Sequence, residues 1–188
     1  MPARWLIVPI EQIESYLPKN GLIIDVGCGE GVMATLLAIK SSKRKVLGID
    51  INKNKINLAK KVSSQISNLT FEQKDAFSKN LPKANGLVLS DFLHHLPSER
   101  HEELLSSLSN ILNKSGAMVI KEIDLKDGIR SKMSRLFDFI FYPTEKVNFV
   151  NSDYLANFLT KLGLKVRVIK VKKWFPGSTT LFICKKLK

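Results

Sequence analysis

An α/β fold with a doubly wound, mostly parallel sheet is what this sequence predicts, and three observations predict it. Short apolar runs alternate with segments of helical period along most of the chain. A glycine-rich turn, Gly27-Cys28-Gly29-Glu30-Gly31, follows the first apolar run directly and opens a helical pattern. The last two apolar runs are joined by a segment too short for a helical crossover, so they pair antiparallel.

The elements follow in order. Residues 9–17 read as a short leading helix, because proline is tolerated in a first turn and Pro18-Lys19-Asn20-Gly21 stops it. Residues 22–26 are a buried strand. Residues 32–40 are a helix on which Val32, Leu36 and Ile39 are expected to share the core face. Residues 45–49 form a second strand closed by Asp50. A helix over 53–66 spaces Ile56, Ala59, Val62 and Ile66 on one side, and residues 69–73 return as a third strand. The fourth strand is 86–90. The helix at 98–112 has Leu104, Leu105, Leu108, Ile111 and Leu112 as its core face, with His101 facing solvent, and 117–123 is the fifth strand. A helix over 154–162 ends at Gly163, the favoured residue just past a helix. Residues 164–171 and 180–185 are the closing hairpin, joined through Trp174-Phe175-Pro176-Gly177-Ser178, which is either a hydrophobic tip or a covered turn.

A chain of 188 residues normally forms one domain with a real core, here 1–188 with an N-terminal arm at 1–20. No apolar run is long enough to span a bilayer, and Glu11 and Glu14 follow the apolar stretch 5–10 at once, which argues against a signal peptide. Cys28 and Cys184 lie far apart and neither sits in a CxxC. That argues against a disulfide framework or a zinc site, and it fits a reducing, cytoplasmic compartment. Thirty Lys and Arg against seventeen Asp and Glu give a net charge of +13, and residues 161–188 hold nine lysines and arginines with no acid. Such a tail attracts RNA, an anionic membrane surface or an acidic small molecule. The plainer reading is a solvated lysine-rich face, since only six of the thirty basic residues are arginine, the better phosphate fork.

Chemistry concentrates at the carboxyl ends of the strands. The glycines let the backbone turn tightly and approach a ligand closely. Asp25 precedes them. Asp50 ends the second strand, where a carboxylate can accept both hydroxyls of a ribose, and Asp75-Ala76-Phe77 follows the third, where an acid can reach an adenine amino group and Phe77 can cover the base. Any one of these acids can be a helix cap or a solvated loop residue. Three acids at three successive strand ends are harder to assign that way. A dinucleotide-dependent oxidoreductase would want a GxGxxG loop, but the spacing here is GxGxG and Val32 stands where the third glycine would fall.

The chain resembles the class I S-adenosylmethionine-dependent methyltransferases, in their small-molecule, type 11/12-like branch, over residues 20–188. Residues 25–31 resemble the glycine-rich first motif, Gly48-Ile49-Asp50-Ile51 the second, and Lys74-Asp75-Ala76-Phe77 the adenine-binding segment. Leu89-Ser90-Asp91-Phe92-Leu93-His94-His95-Leu96-Pro97 resembles the fourth-strand motif. The resemblance implies a Rossmann-like seven-stranded sheet with its last strand inserted antiparallel. It implies S-adenosylmethionine as cofactor, held by Asp25, Gly27, Cys28, Gly29, Asp50, Ile51, Asp75, Ala76, Phe77, Ser90 and Asp91. Residues His94 and His95 fall beside the expected methyl group, where either can act as a base for a phenol-like acceptor or simply pack.

The expected acceptor is a small molecule. Amino methyltransferases of nucleic acid bases typically carry an Asn-Pro-Pro-Tyr-like run where this chain has Ser90-Asp91-Phe92-Leu93, and neither cysteine suits the cytosine C5 chemistry. A substrate lid is expected from the leading arm and the insert at 124–151, which carries an amphipathic helix over 129–141. Its Phe137, Phe139, Ile140, Phe141 and Tyr142 are apolar or aromatic and its Arg130, Lys132 and Arg135 are basic, which suits a lipid, quinone precursor, polyketide or aromatic acid. The same aromatics can instead pack the insert onto the sheet. Two further readings stand beside this one: an RNA methyltransferase using the basic tail, and a cofactor-binding partner subunit without catalysis. The oligomeric state is not legible.

Overall fold

The computed structural model describes residues 9–123, 150–171 and 179–186. Helix α1 (Ile10–Tyr16) leads into β1 (Gly21–Val26), α2 (Val32–Lys40), β2 (Arg44–Asp50), α3 (Lys53–Val62) and β3 (Leu69–Gln73). Then come β4 (Ala84–Ser90), α4 (His101–Ile111), β5 (Leu112–Glu122), α5 (Ser152–Lys161), β6 (Leu164–Lys170) and β7 (Thr180–Lys186). The 124–151 insert and the 174–178 connection lie almost wholly outside the described residues. Among the described residues, no helix is long and apolar enough to cross a membrane.

The seven strands make one sheet in the order β3-β2-β1-β4-β5-β7-β6. The first five are mutually parallel, and β7 lies antiparallel between β5 and β6. A parallel sheet must be covered on both faces. On one face α1, α2 and α3 pack Ile13, Leu37 and Ile56 against Ile23, Val46, Val88 and Val119. On the other, α4 and α5 pack Leu104, Leu108, Leu155 and Leu159 against Ile24, Ile49, Leu89, Ile120 and Phe182. The fold class read from the sequence is the one observed.

Several local expectations need correction. In α2 the buried residues are Met33, Ala34, Leu37 and Ala38, while Val32 and Ile39 are exposed at 49% and 64%. The segment is apolar nearly all round, so periodicity could not select the face. Helix α3 stops at Val62, not 66, where Ser63 turns its hydroxyl onto the Ala59 carbonyl at 2.6 Å and leaves Val62 exposed. The 98–112 segment splits into a 3₁₀ turn (Ser98–Arg100) and α4, and Leu112 already belongs to β5. His101 is buried, not solvent-facing: its Nε2 lies 2.7 Å from the Leu93 carbonyl oxygen and 3.2 Å from that of Leu96. Helix α5 begins earlier than its apolar pattern, because Asn151 caps it by accepting from the amides of Asp153 and Tyr154.

The amino-terminal end of the sheet is stapled by a buried cation. The Arg44 side chain is fully buried at the start of β2. Its Nε donates to the Pro18 carbonyl at 2.7 Å, and its Nη1 donates to that of Leu37 at 3.1 Å and pairs with Glu14 Oε1 at 2.8 Å. Lys19 also reaches Glu14, at 2.5 Å. Burial opposes the Glu14 charge, yet the bonds from Lys19 and Arg44 outweigh it and hold the carboxyl below its ordinary range. Removing one partner of such a pair leaves the other buried and uncompensated, at about 3 kcal/mol or more. Glu14→Ala is therefore expected to lower the unfolding free energy by ~3 kcal/mol in urea titration; an unchanged midpoint would show that α1 is not held through Arg44.

Candidate active site

Strand order reverses between β1 and β4, and in a doubly wound sheet the ligand crevice lies at the carboxyl ends of the strands beside such a switch point. The turn that lines it is fixed by backbone bonds. The amides of Gly27 and Cys28 both donate to the Ile49 carbonyl at 2.9 Å, and that of Gly31 donates to the Cys28 carbonyl at 2.9 Å. The Gly29 amide donates to Asp50 Oδ2 at 2.9 Å. Gly27 has φ +72°, and a Cβ there would lie 2.1 Å from the Phe92 ring, so only glycine lets β1 end against the β4 turn. Gly29 has φ +56°, and nothing lies within 4 Å of where its Cβ would be. The turn is thus closed on its protein side and open on the crevice side.

The predicted cofactor residues stand at or just past the carboxyl ends of β1, β2, β3 and β4, in differing states. Asp25 is buried, and its Oδ2 accepts from the Ala34 amide in the first turn of α2 at 3.1 Å. Asp50 also accepts from the Asn52 amide, at 2.8 Å through Oδ1. A carboxylate has about four lone-pair sites, so two backbone bonds leave acceptor capacity for a ribose. Ile51 beside it is 69% exposed. Asp75 is exposed and closes its own turn, accepting from the Phe77 amide at 2.9 Å. The Ala76 side chain points into the core, and Phe77 is half-buried with the Arg100 guanidinium 3.6 Å above its ring. Cys28 packs beneath the turn, where burial pushes its thiol far up; Cys184 is fully buried and pushed up to about 12. Neither thiol is a nucleophile in that state.

Beyond β4 the structure joins the predicted Ser90, Asp91, His94 and His95 to two residues that the sequence reading missed, Lys121 and Glu122. Ser90 ends the strand half-buried. Asp91 has φ +55°, its amide donates to the Lys121 carbonyl at 3.0 Å, and its carboxylate pairs with the buried Lys121 ammonium. Next to Lys121, Glu122 is 1% exposed and anchors the whole histidine turn. Its Oε1 accepts from the amides of Phe92 and Leu93 at 3.0 and 2.7 Å, and its Oε2 lies 2.6 Å from His94 Nδ1. His94 is buried and His95 exposed, with ring centroids 4.3 Å apart. His101 reaches this turn from α4 through the Leu93 carbonyl. Burial disfavours an imidazolium at His94, but the Glu122 charge and hydrogen bond outweigh it and raise the pKa. The signal in the sequence was the charged pair Lys121-Glu122 inside an otherwise apolar strand.

A family profile described as a methyltransferase domain matches residues 6–168. The chain belongs to this family, the class I S-adenosylmethionine-dependent methyltransferases. Among curated relatives it is 29% identical over 126 residues to a ribosomal protein L11 methyltransferase of Thermotoga neapolitana, covering 65% of this chain and 46% of that one. It is 30% identical over 116 residues to a trans-aconitate 2-methyltransferase of Deinococcus radiodurans, covering 60% and 43%. The chain spans about half the length of the curated relatives it matches. The crystal structure of an S-adenosylmethionine-dependent methyltransferase from Archaeoglobus fulgidus superposes with a TM-score of 0.76 at 22% identity, over 98% of this chain and 95% of that one. That last likeness is one of fold.

Asp25 makes the stability of the fold pH-dependent. Burial, and secondarily the Asp50 charge, raise its carboxyl from an ordinary 3.8 to about 7, against the lowering bond from Ala34. The folded chain therefore keeps this proton between about pH 4 and about pH 7 while the unfolded chain has released it, and stability falls as pH rises across that window. Asp25→Asn removes the titration. Urea unfolding at pH 5 and pH 8 is expected to show the variant gaining stability relative to wild type at the higher pH; equal differences at both would mean that Asp25 ionises normally.

Proposed function

We propose that this protein transfers the methyl group of S-adenosylmethionine to a small acceptor of apolar, aromatic or lipid-like character. The observation that carries the reading is the buried His94–Glu122 pair at the crevice. S-adenosylmethionine, when bound, supplies an electrophilic methyl, and the protein's task is alignment, exclusion of water and care of the acceptor's proton. A phenolic acceptor must lose that proton. His94, with Glu122 stabilising its charged form, is suited to take it, and His95 stands beside it at the surface. The aromatic residues of the expected lid and the acceptor printed in the name of the Deinococcus relative support a small molecule.

The cofactor is assigned to the residues around Gly29. Asp25 and the glycine turn face its amino acid end, and Asp50 takes the ribose. Ile51, Ala76 and Phe77 flank the adenine with Asp75 at its amino group, and Ser90 and Asp91 border the remaining side. The room left at Gly29 and the spare acceptor sites of Asp50 fit such a ligand. A cytoplasmic setting accompanies the proposal, supported by two unpaired buried thiols. Exposed Lys165, Arg167 and Lys170 on the edge strand β6 favour RNA or an anionic membrane as a further partner, although charge on an edge strand also blocks unwanted strand pairing.

Two measurements test this. Asp50→Ala is expected to weaken S-adenosylmethionine binding by about tenfold or more in calorimetry, the loss of a charged hydrogen-bond acceptor; wild-type affinity would remove the cofactor assignment. Methyl-labelled S-adenosylmethionine and a source-cell extract should then put label into the small-metabolite or lipid fraction, with His94→Ala lowering the rate by ~100-fold or more, as for a lost general base. Label in RNA or protein would overturn the acceptor class.

A further inference from the structure

Among the described residues, one buried side-chain polar atom has no hydrogen-bond partner: the hydroxyl of Thr180, at 0% exposure. Thr180 opens β7, whose next four residues, Leu181 to Cys184, are apolar and buried. A valine would fill the same space and carry no unsatisfied group. An unpaired buried hydroxyl costs stability, so its presence calls for a physical account.

The sheet register supplies one. Thr180 is paired directly across from Glu122, and directly opposed residues of an antiparallel pair project from the same face. That face carries Ile120, Phe182 and Cys184, and at its crevice end Glu122 holds His94. Glu122 is already occupied by two backbone amides and one imidazole nitrogen. The unpartnered hydroxyl is therefore one strand away from the residue that organises the proposed base, at the end of the sheet where ligands enter.

We propose that Thr180 is an acceptor-binding residue: its hydroxyl is left unpaired in the free protein and hydrogen-bonds to a polar atom of the methyl acceptor. The inference rests on the small-acceptor reading above and narrows it to acceptors that carry a hydrogen-bonding oxygen or nitrogen within reach of the methylated atom.

The test compares wild type, Thr180→Val and Thr180→Ser as full chains. Thr180→Val is expected to keep or raise the melting temperature, because it removes an unpaired hydroxyl, and to leave S-adenosylmethionine affinity unchanged. With methyl-labelled cofactor and the small-metabolite fraction of a source-cell extract as probe, it should lose about tenfold in labelling rate, the worth of one hydrogen bond to a polar group. Thr180→Ser should retain most of the wild-type rate. Two results overturn the inference: labelling by Thr180→Val at the wild-type rate, or a lowered melting temperature that serine restores, which would make the hydroxyl a structural group bonded to internal water. If wild type itself labels only macromolecules, the small-acceptor reading fails, and this inference with it.

Discussion

One carbonyl and one carboxylate at the end of β2 govern this molecule. The Ile49 carbonyl accepts from two consecutive amides of the glycine turn, and Asp50 accepts from a third. Backbone donors that turn away from a sheet must find partners or lose stability. Here they find them on the neighbouring parallel strand, so the turn is fastened to the sheet as well as to the helix it opens, whose Thr35 amide donates to the Gly31 carbonyl at 2.9 Å. The left-handed glycines, the emergence of α2 toward Asp25 and the open side at Gly29 all follow from that attachment. A turn held by protein on one side and by nothing on the other is preorganised, and a ligand entering it has little backbone left to order.

Much of this was legible in the sequence because the fold obeys short-range rules. Alternating periods, glycine after a strand, and a join too short for a crossover suffice for a doubly wound sheet with an antiparallel finish. The failures also have physical causes. Helix α2 is apolar on all sides, so only the packed structure shows that Met33 and Leu37 face inward while Val32 and Ile39 do not. His101 looked like one polar residue on an amphipathic helix, yet it caps carbonyls of a turn five to eight residues earlier, a contact that periodicity does not encode. Asp75 and Asp25 carry the pattern of ligand residues and also make backbone bonds, so the pattern alone does not separate a cap from a ligand.

The site reading fell short at β5. A buried strand was correct, but Lys121 and Glu122 within it were not recognised as the supports of the β4 turn. The two charges point to opposite faces of the sheet, as adjacent strand residues must. Lys121 reaches Asp91 and Glu122 reaches His94. Each buried charge has an opposite partner, the condition under which burial is tolerated. The turn that carries both histidines is therefore held from each side of the sheet by one rigid strand, and sequence separation of about thirty residues hid the link.

The placement of β7 has a consequence for how the chain comes to be folded. β6 is made before β7 but borders only β7, so when β6 leaves the ribosome its neighbour does not yet exist. Until β7 arrives, β5 presents one open edge and β6 two, each a template for wrong pairing. The lysines and arginine along β6 then act as a guard during synthesis, repelling like strands while the gap waits to be filled. Closing the sheet requires pairing that brings Lys185 opposite both Ala117 and Lys165, the first of them far back in the sequence.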